Sequence, residues 1–149
     1  MPRALRVPLL CLAIVLFLGS SRFGALQTGP WVIPALGALV PWATPRDLQA
    51  LHVVLRKLGH LTEYAILARA WLDGVLAWRA TSVRIAAWTA LLVCIACAFA
   101  DEAHQAMLLS RTGSVGDAVL DSLGALMMLM LLRARYEPGA PAPIVVPAD

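Results

Sequence analysis

The sequence predicts a small all-α integral membrane bundle of about four transmembrane helices, N-in and C-in, and three observations carry that expectation. Hydrophobic residues make up 60% of the 149 positions and charged residues only 14%, with a mean hydropathy of +0.77. That leaves too little polar surface for a water-soluble domain of this length. The apolar residues fall in long runs separated by short basic loops. The ionisable exceptions gather in clusters at the edges of those runs or inside them, where charge is costly and so by default marks a site.

Residues 1–26 read as a first transmembrane helix or an uncleaved signal anchor. Arg3 and Arg6 precede an apolar run from Val7 to Leu18, and Arg22 and Phe23 interrupt the small residues that a cleavage site would need. Leu9-Leu10-Cys11 lies too early in the run for a lipobox. Residues 27–46 are expected to form an extracytoplasmic interfacial loop, because Gln27 to Trp42 is rich in Gly, Pro and Trp. The membrane domain proper is assigned to residues 47–135. Its first helix starts at Thr44-Pro45-Arg46-Asp47, with Thr44 as N-cap and Pro45 at the first helical position, and is expected to run to about Asp73 and stop at Gly74. Trp78, Arg79 and Arg84 make a basic loop, Ile85 to Ala100 is a further span, and Val115 to Leu132 is the last, closed by Arg133 and Arg135. The Pro- and Ala-rich segment 136–149 reads as a disordered cytoplasmic tail.

Orientation follows from the basic residues. With four spans, Arg3, Arg6, Arg79, Arg84, Arg133 and Arg135 share one side, and the positive-inside rule makes that side cytoplasmic. The net charge of +3 is accounted for in this way, and no basic cluster interleaved with exposed aromatics points to nucleic acid. Cys11, Cys94 and Cys97 lie in apolar runs, where thiols act as small hydrophobes, and the Cys94-x-x-Cys97 spacing has no polar surroundings that would activate it.

This topology sends every polar cluster to the outer leaflet. Lys57, His60, Tyr64 and Leu67 form one helical stripe with Glu63 beside His60; Asp101 and Gln105 lie one turn apart, with Glu102 and His104 between them. Arg111 and Ser114 follow in the next loop, and Asp117, Asp121 and Gly124 make another stripe. At about 1.5 Å per residue, Asp121 lies roughly 18 Å from Arg133, which puts it in the outer half of a hydrocarbon layer of roughly 30 Å. Structural roles compete with functional ones here. Arg56, Lys57 and Arg111 could snorkel, Ser114 or Asp117 could cap the last helix, and His104 could face headgroups. Glu63 and Asp121 resist such readings best, since carboxylates deeper in the layer need a partner or a proton.

The motif set Lys57-x-x-His60-x-x-Glu63-Tyr64, Asp101-Glu102-x-His104-Gln105, Arg111-x-Gly113-Ser114-x-x-Asp117 and Asp121-x-x-Gly124 resembles the VanZ-like family of small bacterial membrane proteins, over roughly residues 50 to 132. Two departures stand out: Met128 replaces a small residue one turn after Gly124, and Ala106 to Ser110 lacks the Pro and Gly usual before the Arg. The resemblance implies a multi-pass protein of the bacterial cytoplasmic (inner) membrane. It also implies a link to glycopeptide (teicoplanin) resistance, and a site made of the residues above rather than a defined reaction.

Three function classes compete. One is binding of an envelope amphiphile, a lipid-linked cell-wall precursor or a lipoglycopeptide, with Lys57 and Arg111 holding an anionic head group and membrane lipids as the other partners. Another is a membrane hydrolase or transferase, with His60, Glu63, Glu102 and Asp117 as acid–base groups or ligands of a divalent metal, although no H-E-x-x-H or other established motif occurs. The third is proton-coupled transport through Glu63, Asp121 and His60, for which the inner halves of the spans offer few ionisable residues.

Overall fold

The computed structural model describes residues 2–19, 24–107 and 113–135, and among these the chain is helical with no strand. A single 3-10 turn, Arg3–Leu5, leads into α1 (Arg6–Leu18), α2 (Ala25–Leu39), α3 (Pro45–Trp78), α4 (Val83–Ala106) and α5 (Val115–Arg135). Two of these, α4 and α5, are long and apolar enough to cross a membrane. Within the expected first span over residues 1–26 the α-helix α1 covers Arg6–Leu18; its 13 residues extend about 20 Å, less than a hydrocarbon layer. The tail expected over 136–149 lies outside the described residues.

The expected interfacial loop over 27–46 is largely a helix. Pro30 and Pro34 both lie inside α2. Each removes one backbone donor, yet the apolar run from Ala25 to Leu39 offers few side chains that could satisfy the backbone, so internal hydrogen bonding prevails. Gly24 starts the helix in extended geometry, and Thr28 Oγ1 donates to its carbonyl at 3.0 Å. Trp31 and Trp42 are 81% exposed, an arrangement suited to indoles at an interface.

At α3 the start signal acts as expected. Thr44 Oγ1 accepts from the Asp47 N–H at 3.3 Å, and the Asp47 carboxylate accepts from the Thr44 N–H at 3.0 Å, completing a reciprocal capping box. The Thr44 hydroxyl also donates to the Asp47 carboxylate at 2.7 Å, and this bond, with the one from the Thr44 N–H, holds the Asp47 carboxyl below its ordinary pKa. The stop at Gly74 does not occur, and α3 runs 34 residues to Trp78. Gly74 serves packing instead. A Cβ there would meet Pro8 Cγ at 2.9 Å and the Ala4 carbonyl oxygen at 3.1 Å, so its bare backbone is what seats the N-terminal segment.

α3, α4 and α5 form the core. Lys57 meets Asp117, His60 meets Asp121 and Leu61 meets Gly124, so residue numbers rise together and α3 and α5 run parallel, with α4 packed against both. Tyr64, Leu67, Ala68 and Leu72 of α3 pack against Ala118, Ala125 and Leu129 of α5. α4 contributes a buried stripe of small residues at four-residue spacing, Ala86, Ala90, Cys94 and Ala98, which lets its backbone come close. At Gly124 the approach is closest, because an added Cβ would fall on the Leu61 carbonyl.

Two expectations follow. Gly124→Ala should cost about 1–3 kcal/mol by overpacking the α3–α5 seam. Gly59→Ala, where a Cβ meets nothing within 4 Å, should instead gain up to about 1 kcal/mol of helix propensity. Unfolding in mild detergent reads both, and a Gly124→Ala protein as stable as its parent would refute the close approach. The second concerns Asp47. Because its folded pKa is depressed, the capping box contributes fully above the ordinary carboxylate pKa and is lost as pH falls through the folded value. Amide protection in the first turn of α3, followed by NMR, should fade only in acid.

Candidate functional site

The polar residues converge at one end of the α3–α4–α5 core, on the stripes set by helical periodicity. On the rim, Lys57 Nζ donates to Asp117 Oδ1 at 2.5 Å, with the two side chains 53% and 34% exposed. One turn deeper, His60 Nδ1 lies 3.6 Å from Asp121 Oδ1. That is too long for a hydrogen bond and short enough for an ion pair once the imidazole is protonated. Asp121 is 0% exposed, and neither of its oxygens has a hydrogen-bond partner. Tyr64, one turn below His60, is equally enclosed, and its hydroxyl is also without a partner. Glu63 is half-buried beside this stripe.

α4 supplies two further acids. Asp101 is buried and accepts from Gln105 Nε2 at 2.8 Å, one helical turn away. The end of α1 closes over it, since a Cβ on Gly19 would come within 2.7 Å of Asp101 Oδ2. Glu102 is buried and accepts the Ser114 N–H at 2.7 Å, so a carboxylate from α4 satisfies a donor at the positive end of α5. Gly113 makes this return possible: a Cβ there would strike the Glu102 carbonyl and Ala106. Ser114 thus contributes its backbone N–H, whereas the sequence suggested a cap by its hydroxyl.

Not every expected residue joins the cluster. His104 is exposed, although Asp101, Glu102 and Gln105 around it are buried. Gly124 belongs to the site as the point of helix contact, not as a polar group. Arg111 lies outside the described residues. Of the acid–base candidates, Asp117 is held by Lys57 and Glu102 by the Ser114 N–H. Among the described residues no three His, Cys, Asp or Glu side chains converge as a metal site would require.

Sequence reasoning missed a second polar contact. His52 is buried, and its Nε2 lies 3.1 Å from Thr28 Oγ1, which ties α2 to α3. A lone imidazole within Leu51-His52-Val53-Val54-Leu55 was the available signal, and it needed a helical α2 to be read. Arg69 donates to Asp73 at 2.6 Å within α3.

A family model described as VanZ/LLP1 matches residues 6–136, most of the chain and all of the clustered residues. No curated protein and no solved structure matches. The extent of the family match decides the assignment: the chain belongs to the VanZ/LLP1 family.

Proposed function

We propose that this chain is a multi-pass protein of the cytoplasmic membrane, N-in and C-in, whose polar cluster faces outward and holds the head group of an envelope amphiphile. The observation that carries this reading is Asp121, a fully enclosed carboxylate with both oxygens unsatisfied beside an imidazole and an unsatisfied tyrosine hydroxyl. An acid in that position needs a proton or a donor, and a head group rich in hydroxyl or amine donors supplies it. Lys57 and Arg111 would attract the anionic part of the same molecule.

Next to this cluster, Leu61, Ala65, Gly124, Met127, Met128 and Leu131 line an apolar groove on the α3–α5 seam. Methionine-lined surfaces adapt to varied hydrocarbon, so this groove suits the ligand's chain. A lipid-linked wall precursor and a lipoglycopeptide both combine a donor-rich head with a hydrocarbon chain. Sequestering either at the outer leaflet would alter the access of a glycopeptide such as teicoplanin to its target. An enzymatic reading has less support, because two of its four proposed side chains already have protein partners.

Substitution at Asp121 separates binding from packing. Asp121→Leu removes a buried acid without a hydrogen-bond partner and, with the facing His60 imidazole neutral, should leave the protein about as stable as the parent. The same change should lower retention of a lipid-linked precursor in native mass spectrometry by about tenfold or more, the worth of one charged hydrogen bond. Lys57→Met should cost under about 1 kcal/mol of stability, because the pair is half exposed, yet weaken binding. Teicoplanin protection in a sensitive host, measured at equal protein level, should fall with binding. Undiminished binding and protection in Asp121→Leu would overturn the proposal.

A further inference from the structure

A groove between α4 and α5 opens at the end of the bundle opposite the polar cluster. Arg84 in the first turn of α4 and Arg133 in the last turn of α5 stand at its mouth with Trp88, over Leu91 and Leu129. Past Leu91 and Leu126 the seam continues as a second apolar depression reaching Ile95, Phe99 and Val119. Both guanidinium groups are exposed, and neither has an ion-pair partner among the described residues. Nearby basic groups differ. Arg69 is paired with Asp73, and Arg79 lies over the Trp78 ring at 4.5 Å.

From Arg84 to Phe99 the seam runs about 22 Å along α4, more than the roughly 15 Å of hydrocarbon in one leaflet. Two cations at the mouth, an indole beside them and a hydrocarbon-lined channel behind match the parts of one molecule in order. We infer that this seam binds an anionic glycerophospholipid. Its phosphate bridges Arg84 and Arg133, its ester region lies against Trp88, and one acyl chain follows the seam past Leu91. Charge complementarity selects this occupant over a zwitterionic lipid. The α3–α5 groove beside Gly124, by contrast, has no basic residue in its lining.

The full-length protein, purified in mild detergent, is titrated with phosphatidylglycerol or with phosphatidylcholine of matched chains, and bound lipid is counted by native mass spectrometry. The parent should retain phosphatidylglycerol preferentially. The double variant Arg84→Gln/Arg133→Gln should lose about tenfold to thirtyfold of that retention, on the basis of two basic contacts near a membrane surface, with phosphatidylcholine unchanged. Both positions are exposed, so circular dichroism should show the fold intact. Arg135→Gln, which removes a neighbouring charge outside the groove lining, should change little. Equal retention of the two lipids by the parent would overturn the inference. So would a loss in Arg135→Gln as large as in the double variant, which would mean diffuse surface charge. Asp121→Leu should keep its phosphatidylglycerol, so this site and the outward-facing one fail independently.

Discussion

The backbone contact between Gly124 and Leu61 sets the register of the whole bundle. Where a helix presents no side chain, its neighbour's carbonyl can come within contact distance, and the pairs on either side are then fixed by geometry. With Leu61 against Gly124, His60 falls opposite Asp121 and Lys57 opposite Asp117. A slip of one turn along the seam would break both pairs. The polar site is thus a product of the packing, and the packing in turn must accommodate a buried acid.

The arrangement is uneven in its electrostatics. At the rim, Lys57 and Asp117 are half exposed, and such a pair contributes little to stability. Asp101 and Glu102 are buried but hydrogen-bonded, one to a side chain and the other to a backbone donor of the next helix. Asp121 alone among these acids has no hydrogen bond, and it lies deepest. Groups fixed for structural reasons are normally satisfied, so an unsatisfied one in the centre of a satisfied set points to use.

Helical periodicity and membrane cost made much of this legible in the sequence. The stripes Lys57-His60-Tyr64 and Asp117-Asp121-Gly124 were readable because residues four apart share a face, and a shared end followed once the runs were threaded back and forth. The N-terminal third was harder. Pro30, Pro34 and the tryptophans argued for a loop, yet the segment is helical from Ala25 to Leu39 with both prolines inside it. Gly74 carried the same ambiguity: glycine ends helices and also lets helices touch, and only the position of Pro8 decides between the two. For His104 identity and spacing fit the motif, yet its side chain is exposed, in keeping with the headgroup-facing alternative.

The stripe of small residues on α4 has a consequence for how such a chain can change over time. Ala86, Ala90, Cys94 and Ala98 are fully enclosed and have no room to grow, while Ile85, Trp88, Leu92 and Phe99 on the same helix face outward. One side of α4 is therefore closed to drift, and the outward positions away from the α4–α5 seam, Ile85 and Leu92, are free to exchange one hydrocarbon for another. A mutational scan of this helix should sort by angle around its axis more than by distance from the acids, so intolerance to substitution will by itself be a poor guide to which residues touch a ligand.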